Sequence, residues 1–208
     1  MSSVLPDLRN TLLVLQGRDL ALREELQAEG TLHGGYHPRM EEVHRDNARQ
    51  LRELIARFGW PTERLAGSDG SEAAWLIAQH AIAEPDFMRY CCSLLEREVA
   101  CGTVPKWQLA YLDDRVRVSE GRLQRFGTQF EITPQGPELC PVEDPDSLDL
   151  RRLQVGLGAI ADRLASMKNS PRPTAEEFEA YKRAELAWRV KVGWVERGQL
   201  SPAPQRQR

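Results

Sequence analysis

The stretch that decides the fold is residues 71–83, SEAAWLIAQHAIA. Alanine, leucine and isoleucine dominate it and it contains no glycine or proline, so it predicts a helix that is buried in a core. Ser71 is suited to cap its first turn, and Pro85 ends the helical run. Gln79 and His80 are the polar exceptions. Because burying an imidazole costs free energy unless both ring nitrogens find partners, we expect polar side chains from other elements to approach this helix.

Apolar residues recur at helical spacing on both sides of this run. A first helix is expected from Pro6 until Gly30, and a second from about residue 38 to Phe58, where Gly59 ends it. Further helices are expected over residues 86–100, from Pro105 through residue 114, from Ser147 to about residue 164, and after Thr174, which has capping-box spacing to Glu177.

The pattern changes at Arg115. Residues 115–133 contain short runs in which apolar and polar residues alternate, and this period of two is typical of β-strands. The sequence at 119–121 is suited to a hairpin turn. We therefore expect a mainly α-helical protein of six or seven helices with one β-hairpin or small antiparallel sheet near residues 115–133, packed on the helix that carries His80.

The size of the chain fits one compact domain. It has 208 residues, with 28 Lys and Arg against 31 Asp and Glu, giving a net charge of -3. A chain of this length buries enough surface to form a core without disulfides. We expect a helical domain with its hairpin over residues 1–168, a linker and a C-terminal helix packed on it over 169–200, and a disordered tail at 201–208.

Charge and cysteine content bound the partners. Acidic and basic residues are interspersed, and no basic stripe suited to nucleic acid is present. The N-terminus lacks the basic segment and cleavage site of an export signal, and the four cysteines include no C-x-x-C pair. We therefore expect a cytoplasmic protein with reduced thiols that binds a small molecule, with no nucleic-acid or membrane partner and no cofactor. The oligomeric state is open, a homodimer being one alternative.

The strongest candidate for chemistry is His80 with its neighbour Gln79. Polar pairs at residues 114–115 and 128–129 can supply partners for it. Because a histidine held by an acid near an arginine is a usable general acid or base, we predict His80 and Asp114 as catalytic residues. The same residues also fit a core histidine whose only role is structural. The predicted substrate-binding residues are Gln79, Arg115, Thr128 and Gln129.

A second candidate is the set His37, Glu41 and His44. Their offsets of four and seven residues can place them on one face of a helix, and two imidazoles with a carboxylate are acceptable zinc or iron ligands. A di-iron bundle needs a second Glu-x-x-His motif, which this sequence lacks. We therefore expect no metal here and keep the three residues as weaker candidates.

Several motifs together carry a family resemblance. They are GWP at 59–61, AAWLIAQHA at 73–81, LAYLDDRV at 109–116, EGRLQRFGTQF at 120–130 and LDLRRLQVGL at 148–157. In this order they resemble the uncharacterised bacterial DUF6624 family over about residues 19–165. The resemblance implies no activity.

The resemblance also marks individual positions. Members of the family tend to carry an acidic residue where His44 stands, so no family-wide role is implied for that histidine. The last helix lies outside the shared pattern. The positions that fall on the family pattern are Asp19, Arg23, Asn47, Trp75, Gln79, His80, Asp113 or Asp114 with Arg115, Gly121, Gln124, Gly127, Thr128, Gln129, Asp149 and Arg152.

Two functions follow from these residues. The first is a small cytoplasmic enzyme of hydrolase or lyase type that uses metal-independent acid/base chemistry on a small polar substrate, anionic substrates included. The alternative is a non-catalytic module that binds a ligand or a protein. In that case the same side chains form a rigid polar network, and the last helix docks a partner or a second copy of the chain.

Overall fold

The computed structural model describes residues 4–31 and 35–196. Within these ranges it is mainly α-helical with one antiparallel β-hairpin, which confirms the expected fold class. The elements are α1 (Pro6–Ala28), α2 (Pro38–Phe58), α3 (Glu63–His80), α4 (Pro85–Ala100), α5 (Lys106–Ser119), β1 (Phe130–Thr133), β2 (Gly136–Leu139), a 3-10 turn (Pro145–Ser147), α6 (Leu148–Gln154), α7 (Ile160–Met167) and α8 (Ala175–Val192).

One predicted helix is divided in two. The segment that begins after Ser147 stops at Gln154, and the chain resumes a helix at Ile160. Gly156 lies between them with a φ of 80°, a left-handed conformation that glycine adopts without strain. The break accounts for an eighth α-helix in the described ranges where six or seven were expected.

The core forms where α1, α2 and α3 pack together. Leu8, Leu12 and Leu15 of α1 are buried against α3, and Leu51 and Ile55 of α2 close the same cluster. On α3 the buried positions are mostly small residues, alanine, glycine and serine, which let the neighbouring helices approach closely. The three helices therefore hold one another at short range, and any polar side chain on their inner faces must find its partner there.

The start of α3 differs from the prediction. The helix begins at Glu63 and bends at Gly67, where φ is 74°, so that Ser71 lies inside the helix and is buried rather than capping it. At Gly70 an added Cβ would lie 3.0 Å from the Cβ of Ala66 and 3.4 Å from the Cα of Arg9, so α1 passes very close there. Glycine is what permits this close packing of α1 on α3.

The hairpin lies later in the chain than expected. Residues 115–119, predicted as strand, belong to α5, and the paired residues run from Phe130↔Leu139 to Thr133↔Gly136. Val116 and Val118 alternate with polar residues, as they would in a short strand. Val116 also follows Leu112 by one helical turn, and both are buried in α5, so the same residues fit a helix. The main helical contact of the hairpin is with α7, so the expectation that it packs on the helix carrying His80 is wrong.

Several contacts attach the last helix and the residue just after it to the other described elements. Trp194, just after α8, is buried and its Nε1 donates a hydrogen bond to the carbonyl of Ile82 at 2.6 Å. Arg189 donates to the carbonyl of Ser119, and Trp188 packs edge-on against Tyr36. The capping box predicted at the start of this helix is present. The predicted tail at 201–208 lies outside the described residues.

No helix among the described residues is long and apolar enough to cross a membrane. All four cysteines are free thiols.

Candidate active site at Asp19, His44 and His80

The imidazole of His80 contacts a carboxylate from the first helix. His80 lies in the last turn of α3, and its Nδ1 is 2.6 Å from Oδ2 of Asp19. Asp19 is fully buried on the inner face of α1, in line with Leu15 and Leu22. The close packing of α1 on α3 is what brings these two side chains together.

A second histidine uses the other oxygen of the same carboxylate. Nε2 of His44, on the buried face of α2, is 3.1 Å from Oδ1 of Asp19. Its Nδ1 is 2.6 Å from the hydroxyl of Tyr36, whose ring stacks on it. The two imidazole centroids are 5.0 Å apart. Each of the three core helices thus contributes one polar side chain to a single cluster, and Tyr36 extends it.

Matching donors to acceptors assigns the protons in this cluster. The hydroxyl of Tyr36 donates to Nδ1 of His44, which leaves the proton of His44 on Nε2, where it is donated to Asp19. His80 likewise donates its Nδ1 proton to Asp19. Nε2 of His80 then carries a lone pair, and no described residue hydrogen-bonds to it. The His80 side chain is 20% exposed, and Nε2 is its ring nitrogen that no described hydrogen bond occupies.

Burial and hydrogen bonding set the charges. Burial by itself would raise the pKa of Asp19, but the hydrogen bonds from His44 and His80 outweigh it and hold that pKa well below its usual range. Burial lowers the pKa of His80 in spite of the Asp19 carboxylate. Burial and the nearby Glu41 raise the pKa of Tyr36, so its hydroxyl keeps its proton. At neutral pH the cluster therefore holds an ionised carboxylate and a neutral, basic His80.

The structure gives His80 a different acidic partner from the one predicted. Asp114 is buried in α5, where its carboxylate accepts hydrogen bonds from the backbone N–H groups of Arg125, Phe126 and Thr128 and from the Thr128 hydroxyl. Every described hydrogen bond of Asp114 is made with residues 125–128, in the loop between α5 and β1. The expectation that Asp114 orients His80 is therefore wrong, because its oxygens are already occupied.

Two further predicted site residues belong to the same loop. The Gln129 side chain donates to the hydroxyl of Thr128, and the Gln129 backbone N–H donates to the fully buried side chain of Gln124. The guanidinium of Arg152 donates to the carbonyls at positions 126 and 127. We name residues 124–129 with Asp114 and Arg152 the loop clamp. None of the described hydrogen bonds of Thr128 or Gln129 reaches His80.

The other predicted substrate-binding residues lie at the C-terminal end of α3. Gln79 precedes His80 and is buried, and Nη1 of Arg115 donates to the backbone carbonyl of Gln79 at 3.2 Å. The charge of Arg115 is also one of the groups that lower the pKa of His80. The structure thus brings Gln79 and Arg115 near His80 and leaves Thr128 and Gln129 in the loop clamp.

The three weaker metal candidates do not converge. The ring of His37 accepts from the backbone N–H of Arg39 and caps α2, and Glu41 accepts from Arg45 and Trp188. Only His44 turns inward. In the described part of the chain, the group whose ligand atoms lie close enough to hold a metal ion, within 4.8 Å of one another, is Asp19, His44 and His80.

Thiol chemistry is disfavoured at the buried cysteines. Burial raises the pKa of Cys91 and Cys92, and it raises the pKa of Cys140 to about 12. Since the thiolate is the nucleophile, these side chains stay protonated and unreactive.

Two surface depressions lie along α2. One is lined by residues of α1 and α2 that include Arg18, Glu25 and Val43, and the other is lined mainly by charged side chains of α2 together with Glu84. His80 lines neither of them.

Asp19 and Tyr36 are the site residues that reasoning from the residue pattern missed. Asp19 falls at a core position of α1, on the stripe of Leu8, Leu12, Leu15, Leu22 and Leu26. A carboxylate in the middle of a leucine stripe requires a buried partner, and that signal was available in the sequence. Tyr36 lies in a loop, where no periodicity marks a residue as buried.

The sequence profile of DUF6624, described as a family of unknown function, matches residues 6–170. The chain belongs to this family. No curated protein and no solved structure matches it. Asp19, His80 and Arg115 lie within the matched residues. The last helix, α8, which carries Trp188, lies beyond them.

The loop clamp predicts a structural role for Asp114. Asp114→Ala should lower the free energy of unfolding by about 3 to 5 kcal/mol, because it strands several buried donors at once. Urea denaturation measures the loss. The matched control is Asp146→Ala, which removes an exposed carboxylate and should change stability by less than about 0.5 kcal/mol. Equal effects of the two variants would contradict the clamp.

The pKa directions predict how stability depends on pH. Because the pKa values of His80 and Asp19 are both lowered in the folded state, the unfolded chain binds more protons in acid, and stability falls as pH falls. The His80 contribution is lost below its ordinary value of about 6.5, and that of Asp19 below about 4. Urea denaturation between about pH 7.5 and about pH 4 measures the slope. His80→Gln should reduce the dependence of stability on pH only in the upper part of this pH range, where His80 titrates in the unfolded chain. An unchanged slope in this variant would contradict a lowered pKa for His80.

Proposed function

We propose that this DUF6624 protein is a small enzyme of hydrolase or lyase type in which His80 is the general acid/base and Asp19 its orienting partner. The observation that carries the proposal is the 2.6 Å contact between His80 Nδ1 and the buried Asp19 carboxylate. This contact fixes the tautomer of His80 and leaves Nε2 free to take a proton. A cytoplasmic location is part of the proposal, as four free thiols favour a reducing compartment.

The chemistry starts from neutral His80. Nε2 removes a proton from water or from the substrate, and the resulting imidazolium is stabilised by the ionised Asp19 at its other nitrogen. The proton is then returned to the leaving group, so His80 is regenerated without net consumption of protons. The lowered pKa of His80 supports this role, because it keeps the side chain in its basic form at neutral pH.

His44 and Tyr36 act as positioning residues in this mechanism. Nε2 of His44 engages Oδ1 of Asp19, so the carboxylate cannot rotate away from His80. The Tyr36 hydroxyl holds the tautomer of His44 that donates to Asp19. Trp188 of α8 packs against the Tyr36 ring and keeps it in place. The orientation of the acid/base is thus determined by a chain of contacts through all three core helices.

The catalytic test compares turnover by matched variants. Wild-type protein is incubated with a desalted extract of small metabolites, and compounds that disappear are identified by mass spectrometry. His80→Gln should abolish the depletion, and Asp19→Asn should slow it by about 100-fold to 10,000-fold, because the amide no longer stabilises the imidazolium or its tautomer.

The matched control is His37→Asn, which keeps the cap of α2 and should retain wild-type turnover. Circular dichroism confirms that each variant is folded. If folded His80→Gln depletes the same compounds at the wild-type rate, or if the wild type depletes nothing, the catalytic proposal is wrong, and the second result favours the non-catalytic binding module.

A second function is favoured by one observation. Asp19, His44 and His80 offer a carboxylate and two imidazoles within 4.8 Å, the donor set of a hydrolytic zinc or a non-haem iron site. A metal there would displace the shared protons and supply an activated water in place of the imidazole base. Removing metal with a chelator separates the two mechanisms. Activity that survives chelation supports His80 as the base, whereas activity that is lost and returns with zinc or iron(II) supports the metal centre.

A further inference from the structure

Arg115 is a mostly buried cation whose charge has no acidic partner. Its Nη1 donates to the carbonyl of Gln79, but its Nε is buried and has no hydrogen-bond partner among the described residues. Burial and the like charge of Arg23 lower the pKa of Arg115 to about 10, and no carboxylate in the described structure counters them. The segments outside the described residues contain no Asp or Glu side chain.

A buried guanidinium without a counter-ion is unusual. Buried charges are normally paired, because removing an ion from water costs several kcal/mol that only an opposite charge and full hydrogen bonding offset. Asp114, which precedes Arg115 in the chain, is occupied by hydrogen bonds of the loop clamp. Asp19, the carboxylate of the histidine cluster, is occupied by the two histidines. Capping the end of α3 accounts for one N–H group of Arg115 and leaves Nε unexplained.

Gln79 presents the same anomaly in neutral form. Its side chain is 3% exposed, and both Nε2 and Oε1 are buried without a described partner. Gln79 follows Trp75 by one helical turn, and the Trp75 ring contacts Tyr111 of α5. The amide therefore lies on the side of α3 that faces α5, the helix from which Arg115 approaches.

These groups gather at the end of α3 that carries His80. Arg115 is close enough to His80 to lower its pKa, and Arg23 stands one turn after Asp19 on α1 with an exposed side chain. The two arginines therefore lie on the helices beside this end of α3, Arg115 on α5 bonded to the carbonyl of the residue before His80 and Arg23 on α1 one turn after Asp19. They provide the planar fork of donors that binds carboxylate and phosphate groups.

We propose that Arg115, assisted by Arg23 and Gln79, binds the oxyanion group of a small molecule, a carboxylate or a phosphate, directly beside His80. The inference rests on the proposed function in that it makes this oxyanion part of the substrate on which His80 acts. It adds the substrate class: the reacting compound is a small acid or phosphate ester, held by its anionic group while its reactive bond faces Nε2 of His80.

The test measures binding without turnover. Inorganic phosphate and acetate are titrated separately into the full chain by isothermal titration calorimetry, at constant ionic strength maintained with chloride. Saturable binding of either anion is expected, and the tighter of the two identifies the substrate class as phosphate or carboxylate. Arg115→Gln should weaken that binding by about tenfold or more.

Two further variants keep the test decisive. Arg23→Gln changes an exposed side chain and should keep the fold, so it reports on the site with a loss of about threefold or more even where Arg115→Gln unfolds the chain. Arg97→Gln, on the exposed face of α4, removes the same charge elsewhere and should leave affinity within about twofold. Loss of affinity in Arg115→Gln and Arg23→Gln, with affinity retained in Arg97→Gln, supports the oxyanion site.

The inference is overturned if neither anion binds saturably, or if folded Arg23→Gln and Arg97→Gln bind with the same affinity. Its failure is distinguishable from failure of the catalytic proposal. An anion that binds wild type and His80→Gln equally establishes the oxyanion site even where no turnover is found. Turnover that depends on His80 in a protein that binds neither anion establishes the base and removes the oxyanion site.

Discussion

The buried carboxylate of Asp19 is the constraint on which the rest of this structure depends. Its two oxygens receive one imidazole each from α2 and α3, so the three core helices are tied at one point. An ionised carboxylate inside a core is unstable without such partners. The contact between Asp19 and His80 requires α1 and α3 to lie close together. The small residues of α3 allow this close approach.

The polar residues of the DUF6624 pattern divide into two networks with different roles. The loop clamp satisfies its own hydrogen bonds, with Asp114 and Gln124 fully buried among backbone groups. The cluster at the end of α3 leaves Nε2 of His80, the side-chain amide of Gln79 and Nε of Arg115 without described partners. A closed network stabilises a fold, whereas unsatisfied groups at a histidine are typical of a binding or catalytic site.

Much of the fold could be predicted from local pattern. Helix limits at proline and glycine, the capping box of Thr174 and the burial of an alanine-rich face of α3 all follow from short-range chemistry. The hairpin could not be placed, since the alternation around Val116 fits either element and the choice is made by burial against the core. The start of α3 was missed because Gly67 bends the helix without ending it.

The sequence by itself determined the helical class of this protein and the need for a polar partner at His80, because periodicity and the desolvation of a buried imidazole are properties of the residues alone. Only the tertiary structure decided which acid that partner is. Asp114 and Asp19 are both acids on helices, and their separation along the chain carries no information about distance in space. The close packing of α1 on α3 places Asp19 beside His80, whereas Asp114 accepts hydrogen bonds from backbone N–H groups of the loop clamp.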